Sequence, residues 1–227
     1  MTKLIIYHGS KYIIEKPYFH GGKATNDYGF GFYCTKNLDL AKEWSCNNYE
    51  NNGFANKYSI ELSGLKILDL TDKKYSILNW LAILLKFRTF DLNNEISLQG
   101  KDYLLKHFYI DVDNYDIVIG YRADDSYFCF ARDFINNTIS LRQLSKAMEL
   151  GQLGKQVVII SKLAFDKLHF EGFETADRLI YYTKRKTRDE KAREDYLKRL
   201  KNSKALINDI FMIDIIRKGL KDGNSDI

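Results

Sequence analysis

Two short glycine-containing motifs constrain this chain more than any other feature of its sequence. The first, Tyr7-His8-Gly9-Ser10, ends an apolar run that starts at Lys3 and predicts a buried strand. The second, Gly29-Phe30-Gly31-Phe32-Tyr33-Cys34-Thr35, predicts an aromatic-rich strand that leads directly into a helix. Each motif places one hydrogen-bonding side chain, His8 or Tyr33, near a strand end. If the two strand ends meet, a ligand can lie against both side chains.

The order of the predicted elements favours an α+β fold. Strands near both ends enclose a stretch rich in helices, without the regular alternation that builds a doubly wound parallel sheet. We therefore expect antiparallel or mixed sheets. Strands are predicted at 3–7, 30–34, 58–62, 67–70, 115–120 and 156–160, and helices directly after Thr35 or Asn37 and at 72–88, 97–108, 126–136 and 141–150.

The C-terminal part of the chain predicts a hairpin followed by a long helical region. Residues 168–173 and 178–183 are interpreted as antiparallel strands joined across 174–177. From about Arg188 to Leu220 the sequence is helical in character, charged in its first half and apolar in its second. We therefore divide the chain into a domain of residues 1–184 and an amphipathic helical extension of residues 185–227.

The net charge is concentrated in that extension. Of the formal charge of +5, residues 184–204 contribute ten Lys or Arg against four Asp or Glu, so the rest of the chain is close to neutral. This argues against a protein that coats nucleic acid with its whole surface. The basic segment is either a contact for nucleic acid or an acidic partner, or a solvated helix face, which pairs such as Glu194–Lys198 favour.

Composition also bounds the location and the metal content. The longest uninterrupted apolar stretch, 80–85, is too short to cross a bilayer, and the N-terminus lacks the pattern of a secretory leader. The three cysteines are odd in number and fit no metal-ligand spacing. We therefore expect a cytoplasmic protein with reduced thiols, no bound metal and no membrane partner.

Taken together, the two motifs resemble the His and Tyr elements of the His-Tyr-Glu class of ADP-ribosyltransferases, which bind NAD and cut its glycosidic bond. More closely, the chain resembles a group of bacterial proteins known as domain of unknown function 3990. Two further features carry that resemblance, an Ala-Asp-Asp block after an Ile-Gly strand (119–125) and a Leu-Gly-X-Gln segment (153–156). The resemblance covers most of residues 1–184 and implies a split antiparallel or mixed sheet core with helices.

The same resemblance implies a function. The chain would be an NAD-dependent mono-ADP-ribosyltransferase, a glycosyltransferase that uses NAD as its substrate. ADP-ribose would pass to an unknown macromolecular target, either protein or nucleic acid, with release of nicotinamide. Family context further implies a toxin of a toxin–antitoxin pair, with a small antitoxin protein as its partner.

Five residues of the two motifs are the candidate NAD-binding residues. His8 and Ser10 would hydrogen-bond ribose hydroxyls or the nicotinamide amide, and Gly9 would leave room for the ligand because it has no Cβ. Tyr33 would stack on the flat nicotinamide ring, with Gly31 beside it.

The third catalytic element departs from the enzyme pattern. The class places a Glu on a late strand, and the matching position here is Gln156. A neutral amide can hydrogen-bond a ribose hydroxyl, but it offers no negative charge to the oxocarbenium-like cation that forms as nicotinamide leaves. This favours single transfer over polymer synthesis, and it leaves open a catalytically weak NAD-binding pseudoenzyme or a partner-binding module.

Asp124 and Asp125 are the candidates for the missing charge. They follow a predicted buried strand, where one of them could assist Gln156 or act as a general base toward the acceptor. They could equally cap the helix that starts near Ser126.

Four other residues have ordinary structural interpretations. Phe30 and Phe32 are expected in the core, on the face of their strand opposite Tyr33. Glu171 is expected to be exposed on the predicted hairpin, and Asp27 to be a turn residue.

Overall fold

The computed structural model describes residues 3–123, 125–148, 154–202 and 206–224, with residues 125 and 126 described by their backbone alone. The strands are β1 (Lys3–Ser10), β2 (Phe32–Cys34), β3 (Gly53–Glu61), β4 (Ile67–Asp69), β5 (Ile117–Tyr121), β6 (Lys155–Ile159) and β7 (Leu168–Ala176). The helices are α1 (Leu38–Ser45), α2 (Ile77–Phe87), α3 (Glu95–His107), α4 (Asp125–Ile135), α5 (Leu141–Ala147), α6 (Lys162–Asp166), α7 (Arg178–Asn202) and α8 (Met212–Lys218).

The strands form two sheets, which confirms the α+β class. One sheet has the order β1-β3-β7 and is antiparallel throughout. The other has the order β2-β6-β5-β4, in which β4 and β5 run parallel and the remaining pairs are antiparallel. The expectation of antiparallel and mixed sheets is therefore confirmed.

The second sheet lies between two hydrophobic clusters. Ile117 and Val157 pack toward the first sheet, whereas Val118 and Val158 pack toward α2, α3 and α4. This explains why β5 and β6 are continuous β-branched runs, because a strand covered on both faces needs apolar residues at every position. Helix α2 is buried from Leu78 to Leu85 for the same reason, since it lies inside the larger cluster.

Several predicted boundaries move for local reasons. Asn37, one of the two predicted caps, is the N-cap of α1. Its side chain accepts a hydrogen bond from the Leu40 backbone N–H. Helix α2 begins at Ile77 and not at 72, because Ser76 forms a reciprocal capping box with Asn79. The long C-terminal helical region is interrupted, since residues 206–211 between α7 and α8 are not helical.

The prediction of a hairpin at 168–183 is wrong. Residues 168–176 form β7, but they pair with the free edge of β3. The chain then turns into α7, because the Asp177 side chain accepts a hydrogen bond from the Leu179 backbone N–H at 2.8 Å and its carbonyl accepts one from Tyr181. Glu171 is nevertheless exposed, as expected, and so is Glu174.

The prediction that Phe30 lies in the core is also wrong. Phe32 is buried, but Phe30 is 45% exposed and stacks on His20, with 5.1 Å between the ring centroids. The strand β2 begins only at Phe32, so the alternation of faces does not extend back to Phe30.

Helix α7 is attached to the body of the protein by contacts along its length, two of which involve well-buried groups. Arg188 forms an ion pair with Glu43 of α1, and the Tyr196 hydroxyl donates a hydrogen bond to the Asp133 carboxylate of α4 at 2.8 Å. The division of the chain at residue 184 stays a prediction, although α7 itself begins before it. None of the helices within the described ranges is long and apolar enough to cross a lipid bilayer.

The ion pair between Arg188 and Glu43 gives a testable consequence for stability. The Glu43 side chain is 3% exposed and that of Arg188 is 25% exposed. Replacing Arg188 by Ala should lower the free energy of unfolding by about 2–3 kcal/mol, because Glu43 would keep a buried charge without its partner. Urea unfolding at neutral pH measures the change.

Lys198→Ala is the matched control on the same helix, since its ion pair with Glu194 is exposed on both sides. We expect a change within about 0.5 kcal/mol there. Adding Glu43→Gln to Arg188→Ala should recover part of the loss. Equal losses in the Arg188→Ala and Lys198→Ala variants would show that Glu43 does not depend on Arg188.

Candidate functional site

The two glycine motifs meet where the two sheets join. The Tyr7 backbone N–H donates to the Thr35 carbonyl at 2.8 Å, and the Thr35 N–H donates to the Tyr7 carbonyl at 2.9 Å. This reciprocal bridge ties β1 to the end of β2. It brings His8 beside Tyr33, although the two residues belong to different sheets.

His8 is fixed by a hydrogen bond and by stacking. Its Nδ1 lies 2.7 Å from the Tyr33 carbonyl oxygen, which can only accept, so Nδ1 carries the hydrogen and Nε2 is the acceptor of the neutral ring. Its ring stacks on Phe32 with 4.4 Å between centroids. Burial lowers the pKa of His8 from its ordinary value, and the hydrogen bond to Tyr33 only partly opposes this, so the neutral form is favoured.

A cleft of about 740 Å³ opens at this junction, and we call it the junction cleft. Five of the sequence-predicted site residues line it, namely His8, Gly9, Gly31, Tyr33 and Gln156. The structure therefore brings together side chains from β1, β2 and β6, which lie up to about 150 residues apart in the sequence.

Tyr33 offers its ring to the cleft more than its hydroxyl. The hydroxyl donates to the Gly29 carbonyl at 2.8 Å and accepts from the Tyr28 backbone N–H at 3.0 Å. Burial raises the pKa of Tyr33 well above its ordinary value, so the phenol stays neutral. The ring is thus held in place by its own loop.

Asp27 is the site residue that sequence reasoning missed. It is 6% exposed, and it lines the junction cleft. Its Oδ2 accepts hydrogen bonds from Gln156 Nε2 at 2.7 Å and from the Ala123 backbone N–H at 2.9 Å, and its Oδ1 accepts one from Arg88 Nη1 at 3.2 Å. A turn assignment from local sequence could not have found these partners, because they lie 61 to 129 residues away.

The environment of Asp27 contains opposing electrostatic effects. Burial raises the pKa of this carboxyl from its ordinary value, while the hydrogen bonds from Ala123 and Gln156 and the charges of Arg88 and Arg122 lower it. All three of its hydrogen-bond partners are donors, and this arrangement suits the ionised carboxylate. The position of Gln156 next to this carboxylate also fixes its amide, because only the NH₂ group can donate to Asp27.

The glycines that line the cleft are also required by packing. A Cβ at Gly9 would lie 2.1 Å from the Ala41 carbonyl oxygen of α1, and one at Gly31 would lie 2.5 Å from Val158 Cγ1 of β6. Their missing side chains therefore allow α1 and β6 to approach, in addition to any room that they leave for a ligand.

The remaining predicted residues are not placed in the cleft. Ser10 is absent from its lining, and the Ser10 hydroxyl instead accepts a hydrogen bond from the Tyr12 backbone N–H at 3.1 Å. Asp124 lies outside the described residues, and of Asp125 the structure describes only the backbone, which begins α4. No group of three or more His, Cys, Asp or Glu side chains suited to a metal ion occurs within the described part of the chain.

Comparison with known proteins gives one match. Residues 4–170 match the sequence model of a family described as a protein of unknown function (DUF3990). The matched region contains both motifs, Asp27 and Gln156, and it ends inside β7, before α7 begins. No curated protein and no solved structure matches the chain.

The raised pKa of Asp27 predicts a pH dependence of stability. A carboxyl whose pKa is higher in the folded chain stabilises the fold when protonated, and this contribution is lost as pH rises from the unfolded value of 3.8 through the folded one. The free energy of unfolding of the wild type, relative to Asp27→Asn, should therefore fall over that pH range. Urea unfolding across a pH series measures both proteins.

Asp91→Asn serves as the control, because Asp91 is exposed and lies outside the junction cleft. Replacing this exposed side chain should change the free energy of unfolding at neutral pH by less than about 0.5 kcal/mol. A wild-type advantage over Asp27→Asn that grows as pH rises would contradict the assignment.

Proposed function

The chain belongs to the DUF3990 family, and for this member we propose an NAD-dependent mono-ADP-ribosyltransferase activity in the junction cleft. In this proposal the two joined sheets form an ADP-ribosyltransferase-like core. ADP-ribose passes from NAD to a macromolecular acceptor, and nicotinamide is released. A toxin role with an antitoxin partner is part of the same proposal.

One observation carries the proposal. His8, Tyr33, Gln156 and Asp27, which come from four separate segments, converge on one cleft. Its volume of about 740 Å³ lies within the range of about 300–1,000 Å³ that is usual for small-molecule sites. The cleft combines apolar surface with a few fixed polar groups, as small-molecule sites commonly do.

In this mechanism His8 and Tyr33 bind and orient the nicotinamide riboside. The neutral His8 uses Nδ1 to hold the Tyr33 carbonyl, so its Nε2 accepts a hydrogen bond from a ribose hydroxyl. The Tyr33 ring, fixed through its hydroxyl, stacks on the flat nicotinamide. Both groups are set before the ligand arrives, which reduces the entropy lost on binding.

Asp27 supplies the negative charge that Gln156 lacks. As nicotinamide departs, positive charge develops on the ribose, and a preorganised carboxylate nearby can lower the barrier by several kcal/mol. Gln156 donates its NH₂ group to Asp27, which leaves its carbonyl oxygen to accept a hydrogen bond from a ribose hydroxyl. Asp27 therefore positions Gln156 and also supplies a negative electrostatic field at the reacting ribose.

A second candidate function follows from the neutral amide at Gln156. If the field of Asp27 is too weak at the reacting carbon, the cleft binds NAD and does not cleave it. Saturable NAD binding with no nicotinamide release would identify this pseudoenzyme.

Nicotinamide release from NAD by the purified protein tests the activity. His8→Ala should reduce the rate by about 100-fold or more, because it removes a preorganised contact to the ribose. Tyr33→Phe should keep part of the rate, because it keeps the ring but loses the two hydrogen bonds that hold it, whereas Tyr33→Ala should lose the rate. His169→Ala is the control, since His169 is exposed on β7 and lies outside the junction cleft. Equal, near-zero rates in the wild type, His8→Ala and Tyr33→Ala would refute the proposed activity.

Exchanging the acid and the amide tests the role of Asp27. Gln156→Glu alone would place a second carboxylate at the 2.7 Å contact with Asp27, so the pair must share a proton, and the rate should fall as pH rises. Gln156→Glu combined with Asp27→Asn restores one acid and one amide, and its rate should at least match that of the wild type. A double variant slower than both single variants would exclude this role.

A further inference from the structure

A second cleft of about 400 Å³ lies beside the junction cleft, between α1 and α7, and we call it the arginine cleft. Four residues line both clefts and form their common wall, namely Trp44, Arg88, Arg122 and Ala123. The proposed function makes no use of this second space.

The arginine cleft has an excess of positive charge. Among the residues that the structure describes, five basic side chains line it, against two carboxylates. Both carboxylates are already paired, since Glu43 contacts Arg188 and Asp189 contacts Arg193 at 2.9 Å. Arg88 pairs with Asp27 at 3.2 Å and Lys186 with Glu190 at 3.8 Å, both outside the lining of the arginine cleft, whereas Arg185 has no acidic partner among the described residues.

Three of the arginines are held in different ways. Arg122 lies over the Trp44 ring, with 4.6 Å from the guanidinium carbon to the ring centroid, and Arg88 is anchored by Asp27 in the common wall. Arg185 is half-buried, and within the described part of the chain it makes no hydrogen bond or ion pair. An anion in the cleft would supply Arg185 with the partner that the described residues do not provide.

From this arrangement we propose that the arginine cleft is a phosphate-binding site. Planar guanidinium groups match the oxygen atoms of phosphate and diphosphate groups and bind them by paired hydrogen bonds. Two sources of that group are compatible with the common wall. It is either the diphosphate of the dinucleotide whose other end occupies the junction cleft, an identification that rests on the proposed function, or the phosphate of a separate acceptor. Phosphate binding itself does not depend on NAD cleavage.

Helix α7 contributes basic residues to this site, among them Arg185 and Lys186. Arg185 and Lys186 lie beyond residue 170, where the match to the family ends. The phosphate site is therefore built where α7 meets the matched region, and three of its five basic residues, Arg185, Lys186 and Arg188, belong to the segment in which the charge of the sequence is concentrated.

Calorimetric titration of the full-length chain with inorganic pyrophosphate tests the site. We expect saturable binding of one pyrophosphate per chain, weakened about tenfold or more by Arg185→Gln. The matched control is Arg217→Gln on α8, which removes the same charge from an exposed residue outside both clefts. It should change the affinity less than about twofold.

Two results would overturn the proposal. One is the absence of saturable pyrophosphate binding in the wild type, and the other is equal weakening by Arg185→Gln and Arg217→Gln, which would indicate a general effect of charge. Thermal unfolding of both variants checks that they fold. Arg185 makes no hydrogen bond or ion pair with the other described residues, so its variant should unfold close to the wild-type temperature.

A second titration in the presence of saturating NAD distinguishes the sources. Competition between NAD and pyrophosphate supports the site as the place of the dinucleotide diphosphate, and simultaneous binding supports it as the place of a phosphorylated acceptor. Pyrophosphate binding that persists in a protein unable to bind or cleave NAD would refute the proposed function and leave the phosphate site intact.

Discussion

The reciprocal backbone hydrogen bonds between Tyr7 and Thr35 are the constraint on which the rest of the site depends. The strand β2 is only three residues long, so this bridge and its pairing with β6 fix its position. Because side chains alternate along a strand, a shift of one residue would exchange the sheet faces that Phe32 and Tyr33 occupy. The bridge therefore sets both the contact between His8 and Tyr33 and the cleft that they line.

Asp27 and Arg88 couple the two clefts electrostatically. Asp27 touches Gln156 on one side and Arg88 on the other, and Arg88 lines both spaces. An anion in the arginine cleft would compete with Asp27 for the guanidinium of Arg88. Occupation of one cleft would then change the electrostatic field in the other. Such coupling suits a reaction in which two substrates occupy clefts on either side of a common wall.

Local patterns in the sequence predicted the features that local physics decides. The runs 115–120 and 156–160 are strands because their β-branched residues suit a sheet that is covered on both faces, and Asn37 caps α1 as expected. The prediction of a hairpin at 168–183 is wrong because the local sequence does not show that β3 offers a free edge for residues 168–176 to pair with. Asp27 was missed for the same reason, since its turn-like neighbourhood reveals nothing of a partner 129 residues away. The prediction that the two motifs meet rested on a family resemblance. The contact between Asp27 and Gln156 is visible only in the three-dimensional structure.

Two separate constraints act on Gly9, the packing of α1 and, in the proposed function, the space for the ligand. A methyl group there would collide with the Ala41 carbonyl oxygen whether or not a dinucleotide ever enters the cleft. Intolerance of substitution at this position in a mutational scan would thus report the seating of α1 on β1, and it would be uninformative about ligand affinity. The neighbouring His8 also has structural contacts, with Tyr33 and Phe32, so a stability measurement is needed there too before a lost activity is assigned to the ligand.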